Sequence, residues 1–239
     1  MTLAPTSAHP DRGVHGFGWV LLLAAFVLGG VAVALVYEFG GSSSSTLNGS
    51  GVPAVETRNV PAFHAVELAG ANNVAIHVGG TQQVVVRADQ NLIGRVTTEV
   101  RSGTLVVGNK PGSYATKAPT GVEITVPSLS ALTLSGSGNI VVDGIDAQSL
   151  TVNLPGSGTL NGSGTVTRLE VTIGGSGSVQ FAGVTARDGH AVVSGSGTIF
   201  LNVTGSLDAS VSGSGSVIYA GSPQTVTKSV TGSGSIVGG

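Results

Sequence analysis

Glu170, His190 and Asp208 stand at the same place in successive copies of a repeat, each five residues ahead of a Gly-Ser-Gly tripeptide. If the copies stack, the three side chains form one column of a carboxylate, an imidazole and a second carboxylate. Two carboxylates flanking a group that titrates near neutrality can do general acid–base work, such as glycosidic cleavage by a polysaccharide lyase or hydrolase. A solvated strand face would show the same column, with the histidine relieving the repulsion between two like charges. The sequence favours that second reading, so catalysis is the alternative. Arg168 and Arg187, seven and eight residues ahead of their tripeptides, read as a second column suited to a carboxylate or polyanion. Glu170 and Asp188 stand close enough in sequence to pair with them instead.

Other chemistries find little support. The chain has no Cys, which excludes disulfides, thiolate metal sites and a Cys nucleophile. His64, His77 and His190 lack metal-ligand spacing, and neither a metal nor a cofactor is expected. The net charge of −2, with no basic cluster, leaves no footprint for nucleic acid. The single Trp is Trp19, far from the repeats, so a Trp platform for sugars is absent. Phe181 and Tyr219 fall on the inward phase of the pattern, and Phe200 is the one outward candidate for a stacking ring.

The elements that must position these residues follow from the repeat. Gly-Ser-Gly begins at Gly136, Gly156, Gly175, Gly195, Gly213 and Gly232, at spacings of 20, 19, 20, 18 and 19 residues. Such constancy means one supersecondary unit stacked on copies of itself. Ahead of each tripeptide the apolar residues alternate, as in Leu150, Val152 and Leu154, then Leu169, Val171 and Ile173. After it the alternation resumes with Ile140 and Val142, Val179 and Phe181, Ile199 and Leu201. Period-two alternation marks strands with one buried face. A unit of this length is too short for a βαβ crossover or a propeller blade. One coil of a single-stranded parallel β-helix fits it, and the glycines serve as corners by positive φ or close backbone approach. No helix follows them, so a phosphate-cradling loop is not indicated.

The first half is less regular. Val66–Val78 reads as a degenerate coil with Ala71-Asn72 in place of Ser-Gly. Val96–Val107 reads as two strands joined at Ser102-Gly103, and Asn109–Thr120 as a loop leaving the solenoid. Ahead of this domain, residues 17–37 form an apolar run of 21 residues between Arg12 and Glu38. That is long enough for one transmembrane helix, and Ala32-Val33-Ala34 also offers a signal-peptidase site. Residues 1–16 would then be a short cytoplasmic N-terminus, 17–37 the anchor or signal, 38–57 a Gly/Ser-rich linker and 58–239 the β-helix domain. The order of charges favours the N-terminus inside.

Arg58-Asn59-Val60, Phe63-His64-Ala65-Val66, Ala88-Asp89-Gln90-Asn91-Leu92 and Val100-Arg101-Ser102-Gly103-Thr104-Leu105, followed by serial Gly-Ser-Gly motifs, resemble the bacterial auto-transporter adhesin head domain, or GIN domain. The resemblance covers about Val60 to Gly238. It implies a right-handed β-helix in the cell envelope and carries no catalytic or binding residues to transfer. No barrel segment follows Gly232, so secretion through a barrel of its own is not expected. Together these readings describe a non-catalytic adhesion or scaffolding module. It would be anchored in the cytoplasmic membrane with its β-helix on the periplasmic or extracellular side, or secreted after signal cleavage. Expected partners are an envelope or host polysaccharide, a surface protein, the membrane through 17–37, and other copies through the β-helix ends.

Overall fold

The computed structural model of the chain describes residues 46–239 in full, and the backbone of Ala25–Leu28 and Val31–Ala34. Those last two segments are strands β1 and β2, paired antiparallel with Ala25 opposite Ala34 and Leu28 opposite Val31. They correct the expectation of a single helix over 17–37 at the residues described there. Gly29-Gly30 lies between them in sequence, and Gly disfavours helix while suiting a two-residue hairpin. Val27, Val31 and Val33 favour strand as well. Among the described residues no helix is long and apolar enough to cross a membrane. The rest of 17–37, and residues 1–16, lie outside the described residues.

The second unit, Ser45–Gly239, is all-β, a β-solenoid of about five turns with one 3₁₀ turn at Ile93–Arg95. Its strands in order are β3 (Leu47–Asn48), β4 (Pro53–Thr57), β5 (Ala65–Leu68), β6 (Asn73–Val78), β7 (Gln83–Asp89), β8 (Val96–Arg101) and β9 (Thr104–Asn109). β10 (Tyr114–Ala115), β11 (Gly121–Val126) and β12 (Ala131–Leu134) complete the irregular half. The regular half comprises β13 (Asn139–Leu154), β14 (Thr159–Ile173), β15 (Ser178–Val193) and β16 (Thr198–Gly213), then β17 (Ser216–Ala220), β18 (Thr225–Gly232) and β19 (Ser235–Gly238). From β13 to β19 every coil pairs in parallel with the next, in the register that the spacing of the repeats predicts.

The inward residues stack in columns. Leu134, Leu154, Ile173, Val193 and Val211 are all at most 1 % exposed. Each fully buried side chain of this kind contributes about 1.5–3 kcal/mol. Core sizes compensate between coils: a Cβ on Gly162 would press into the Phe181 ring, which fills the space that glycine leaves. The tripeptide glycines are required mainly by close approach. At Gly156, Gly175 and Gly195 a Cβ would overlap the carbonyl oxygen of the corner glycine one coil before. Only the last two corners, at Gly213 and Gly232, also need positive φ, at 148° and 111°.

The degenerate coil is real. β5 pairs with β12 and β6 with β13, both in parallel, with Ala65 opposite Ala131 and Asn73 opposite Asn139. Between these coils, residues 79–128 fold back over the open end of the solenoid. There β9 pairs with β5, and β8 closes the edge as an antiparallel hairpin turned at Ser102 (φ 49°) and Gly103 (φ 76°). On the neighbouring face β11 pairs with β6, β7 with β11, and β4 with β7. An ion pair of Arg101 with Glu99, 2.7 Å, sits on the outer strand, a charged edge of the kind that discourages further pairing.

Strand pairing extends ahead of the boundary expected at residue 58. Leu47–Asn48 pairs with Tyr114–Ala115, and Pro53–Thr57 with β7, so residues 46–57 belong to the cap and are not linker. The reason is a tertiary partner invisible in the segment's own composition. Asp89, wholly buried, accepts hydrogen bonds from the backbone N–H of Gly51 (2.7 Å), Lys117 (2.9 Å) and Ala118 (3.2 Å).

Candidate functional site

The solenoid presents two outward strand faces, one ahead of each Gly-Ser-Gly corner and one after it. On the first, register places Glu170 beside His190 and His190 beside Asp208, with Thr151 and Thr227 continuing the column. The expected column therefore exists. His190 Nδ1 lies 3.4 Å from Asp208 Oδ2, with the side chains 46 % and 60 % exposed. Glu170 enters no ion pair among the described residues. Two strand spacings, about 9–10 Å, separate the carboxylate-bearing backbones, near the upper end for an inverting pair. All three residues are exposed, where an ion pair is screened and adds little.

Arg168 and Arg187 do not align. Arg168 is opposite Asp188, and Arg187 sits one position along with Nε 3.7 Å from Asp188 Oδ2. Ser206 donates its hydroxyl to Asp188 Oδ1 at 2.7 Å. That bond, with the charges of Arg187 and Arg168, holds the Asp188 carboxyl below the usual aspartate range. The two arginines thus flank one carboxylate of their own sheet, which offsets one of their two charges.

The face after the corner is organised differently. Three residues past each first glycine, register stacks Asn139, Thr159, Ser178, Thr198 and Ser216 into one ladder. Two residues further, Val141, Asn161, Gln180, Phe200 and Ile218 stack into a second. Rungs bond along and between the ladders: Asn139 Nδ2 donates to Asn73 Oδ1 (3.0 Å), and Gln180 Nε2 to Ser178 Oγ (2.7 Å). Phe200 is partly exposed here as the sequence predicts, while Phe181 is buried and Tyr219 packs against the core. The fixed offsets of three and five residues were the available signal for these ladders. Their low charge makes them less conspicuous than the titratable column. Among the described residues no cluster of three or more His, Asp or Glu is placed to hold a metal.

A sequence profile of the bacterial family described as "Putative auto-transporter adhesin, head GIN domain" matches residues 62–223. The chain belongs to this family. The GIN domain match begins just before β5, spans the cap insertion and ends between β17 and β18, so the cap is as much part of it as the repeats. Three solved structures share the fold of this GIN domain. One from Bacteroides fragilis, described as a "putative adhesin", superposes with a TM-score of 0.68 at 22 % identity, covering 80 % of this chain and 99 % of that one. A "putative lipid binding protein" from Parabacteroides distasonis gives 0.54 at 21 % identity, over 82 % and 100 %. A "putative adhesin" from the same species gives 0.53 at 20 % identity, over 82 % and 100 %. No curated protein matches the chain.

Proposed function

We propose that this chain is a non-catalytic adhesion or scaffolding module of the bacterial envelope that holds an extended polymer, a polysaccharide or a surface protein segment, along the face after the corners. The observation that carries this reading is the pair of in-register ladders, one of hydroxyls and amides, the other of amides and apolar groups. Strand spacing repeats them about every 4.8 Å, comparable with the length of one pyranose unit, so each coil sets one small polar and one larger side chain against one sugar. Many weak contacts at a regular spacing on a rigid rod add up through effective concentration. The description of the family and of two solved relatives as adhesins supports the same reading.

The β-helix winds right-handed, as parallel crossovers do, and faces the periplasm or the exterior. The apolar composition of 17–37 supports this placement as an export signal or a membrane attachment other than a single spanning helix. The outer edges of β18 and β19 carry no partner strand among the described residues, which supports self-association through that end.

The test is retention of the full chain on bacterial and host polysaccharides, with polymer length followed in parallel. Retention without shortening is expected. Shortening would overturn the reading in favour of a lyase or hydrolase acting through Glu170, His190 and Asp208, for which the 3.4 Å contact of His190 with Asp208 is the supporting observation. His190→Ala and Glu170→Gln are expected to leave retention unchanged within about twofold, the scale of exposed-site substitutions. Loss of retention in either would place the binding site on the other face.

A further inference from the structure

We propose that a trough at the cap end of the ladder face, floored by Ala75 and Val141, is a discrete site for one or two sugar units of an uncharged glycan. This rests on the reading above and assigns it a place.

Register lays Glu123, Ala75, Val141 and Asn161 side by side across four adjacent strands, all on the outward phase. Ala75 is the shortest of the four, and Gly121 beside Asn73 carries no side chain at all, so the sheet surface dips between taller neighbours. The resulting cleft holds about 530 Å³, within the range of small-ligand sites. Its floor is apolar: Val141 is 51 % exposed, in a sheet where the neighbouring inward residues Ile140 and Val142 are buried. Methyl groups of this kind match the C–H-bearing face of a pyranose.

The walls carry the polarity. On one side Arg87 binds Glu123 through two parallel bonds, Nε to Oε1 at 2.9 Å and Nη2 to Oε2 at 3.1 Å. This planar fork cancels its own charge and fixes both groups in place. On the other side Asn139 gives one amide hydrogen to Asn73. The remaining donors and acceptors of those two amides enter no hydrogen bond among the described residues. Carboxamides that both donate and accept suit vicinal hydroxyls, which do the same. A charged ligand would meet no net opposite charge here, because the only ionised pair in the trough is already matched. The trough also opens onto Thr159 and Asn161, so a chain seated in it continues along the ladders.

The experiment is calorimetric titration of the full chain with cellotetraose, maltotetraose and tetra-N-acetylchitotetraose, compared across three variants. Ala75→Phe fills the floor, Asn139→Ala removes a wall amide, and His190→Ala alters only the opposite face. All three positions are exposed, and circular dichroism melts verify the fold of each variant. Saturable binding of at least one oligosaccharide is expected, weakened about tenfold or more by Ala75→Phe and by Asn139→Ala and unchanged by His190→Ala. Binding that is equal in all variants would overturn this site and leave the polymer-binding reading standing. Retention of polysaccharide with no oligosaccharide binding would also overturn the site, since recognition would then be spread along the ladders. Failure of oligosaccharides and polymers alike would overturn both proposals.

Discussion

Gly156→Ala is expected to lower the melting temperature of the solenoid by roughly 10 °C, the consequence of about 3 kcal/mol of overpacking in a domain of this size. The added methyl group has nowhere to go. Its position overlaps the Gly136 carbonyl oxygen, and that oxygen also accepts the Ser157 N–H at 3.2 Å. Relief requires the two coils to separate at the corner, which lengthens the hydrogen bonds on both flanking strands together. Gly94→Ala is the matched control, because a Cβ there meets nothing within 4 Å and the backbone has no positive φ. It is expected to change stability by less than about 1 kcal/mol, in the stabilising direction through the unfolded chain. Equal melting temperatures for the two variants would show that the corners relax freely, and the stacking argument would fail.

Asp89→Ala is expected to release residues 46–52 and 110–120 together while the coils stay folded. Limited proteolysis should then cut in those two segments about tenfold faster or more, as for a locally opened unit. Three backbone N–H groups converge on this carboxylate, and Asn91 adds to the clasp by accepting from Ser50 N–H and donating to the Asn48 carbonyl, both at 2.8 Å. The bond from the Lys117 N–H, followed by those from Gly51 and Ala118, pulls the Asp89 carboxyl below its ordinary value against the cost of burial. A lowered pKa in the folded state means that the contribution is complete above the unfolded value, about 3.9. It is lost as pH falls through the folded value. Acid should therefore open the clasp of the natural chain only below about pH 3.9. Asp89→Asn, open already at neutral pH, should show no such acid step. A cleavage rate in Asp89→Ala equal to that of the natural chain would remove Asp89 from this role.

The motif Ala88-Asp89-Gln90-Asn91-Leu92 illustrates where sequence reading stops. It is recognisable as a family signature, yet its purpose emerges only when Asp89 and Asn91 are seen holding residues 48–51 and 117–118. The segment they hold, with its glycines and serines, reads as linker because no local pattern records a partner some forty residues away.

The repeats were legible for the opposite reason. In a coil that stacks on itself, one spacing sets corner, phase and register together. The alignment of Glu170, His190 and Asp208 could therefore be read from their common offset and appears in the pairing. Arg168 and Arg187 form no such column, because they stand seven and eight residues ahead of their corners and Asp188, also seven ahead, falls opposite Arg168. The sequence by itself determined the all-β solenoid, the inward and outward phases and the columns, since period-two burial and a constant repeat leave few other solutions. Only the tertiary structure decided that residues 79–128 cap one end and that residues 46–57 join them. It alone decided, too, that Arg87 of one strand meets Glu123 of another beside the small Ala75. Those contacts join distant segments by shape and hydrogen bonding, and no local periodicity encodes them.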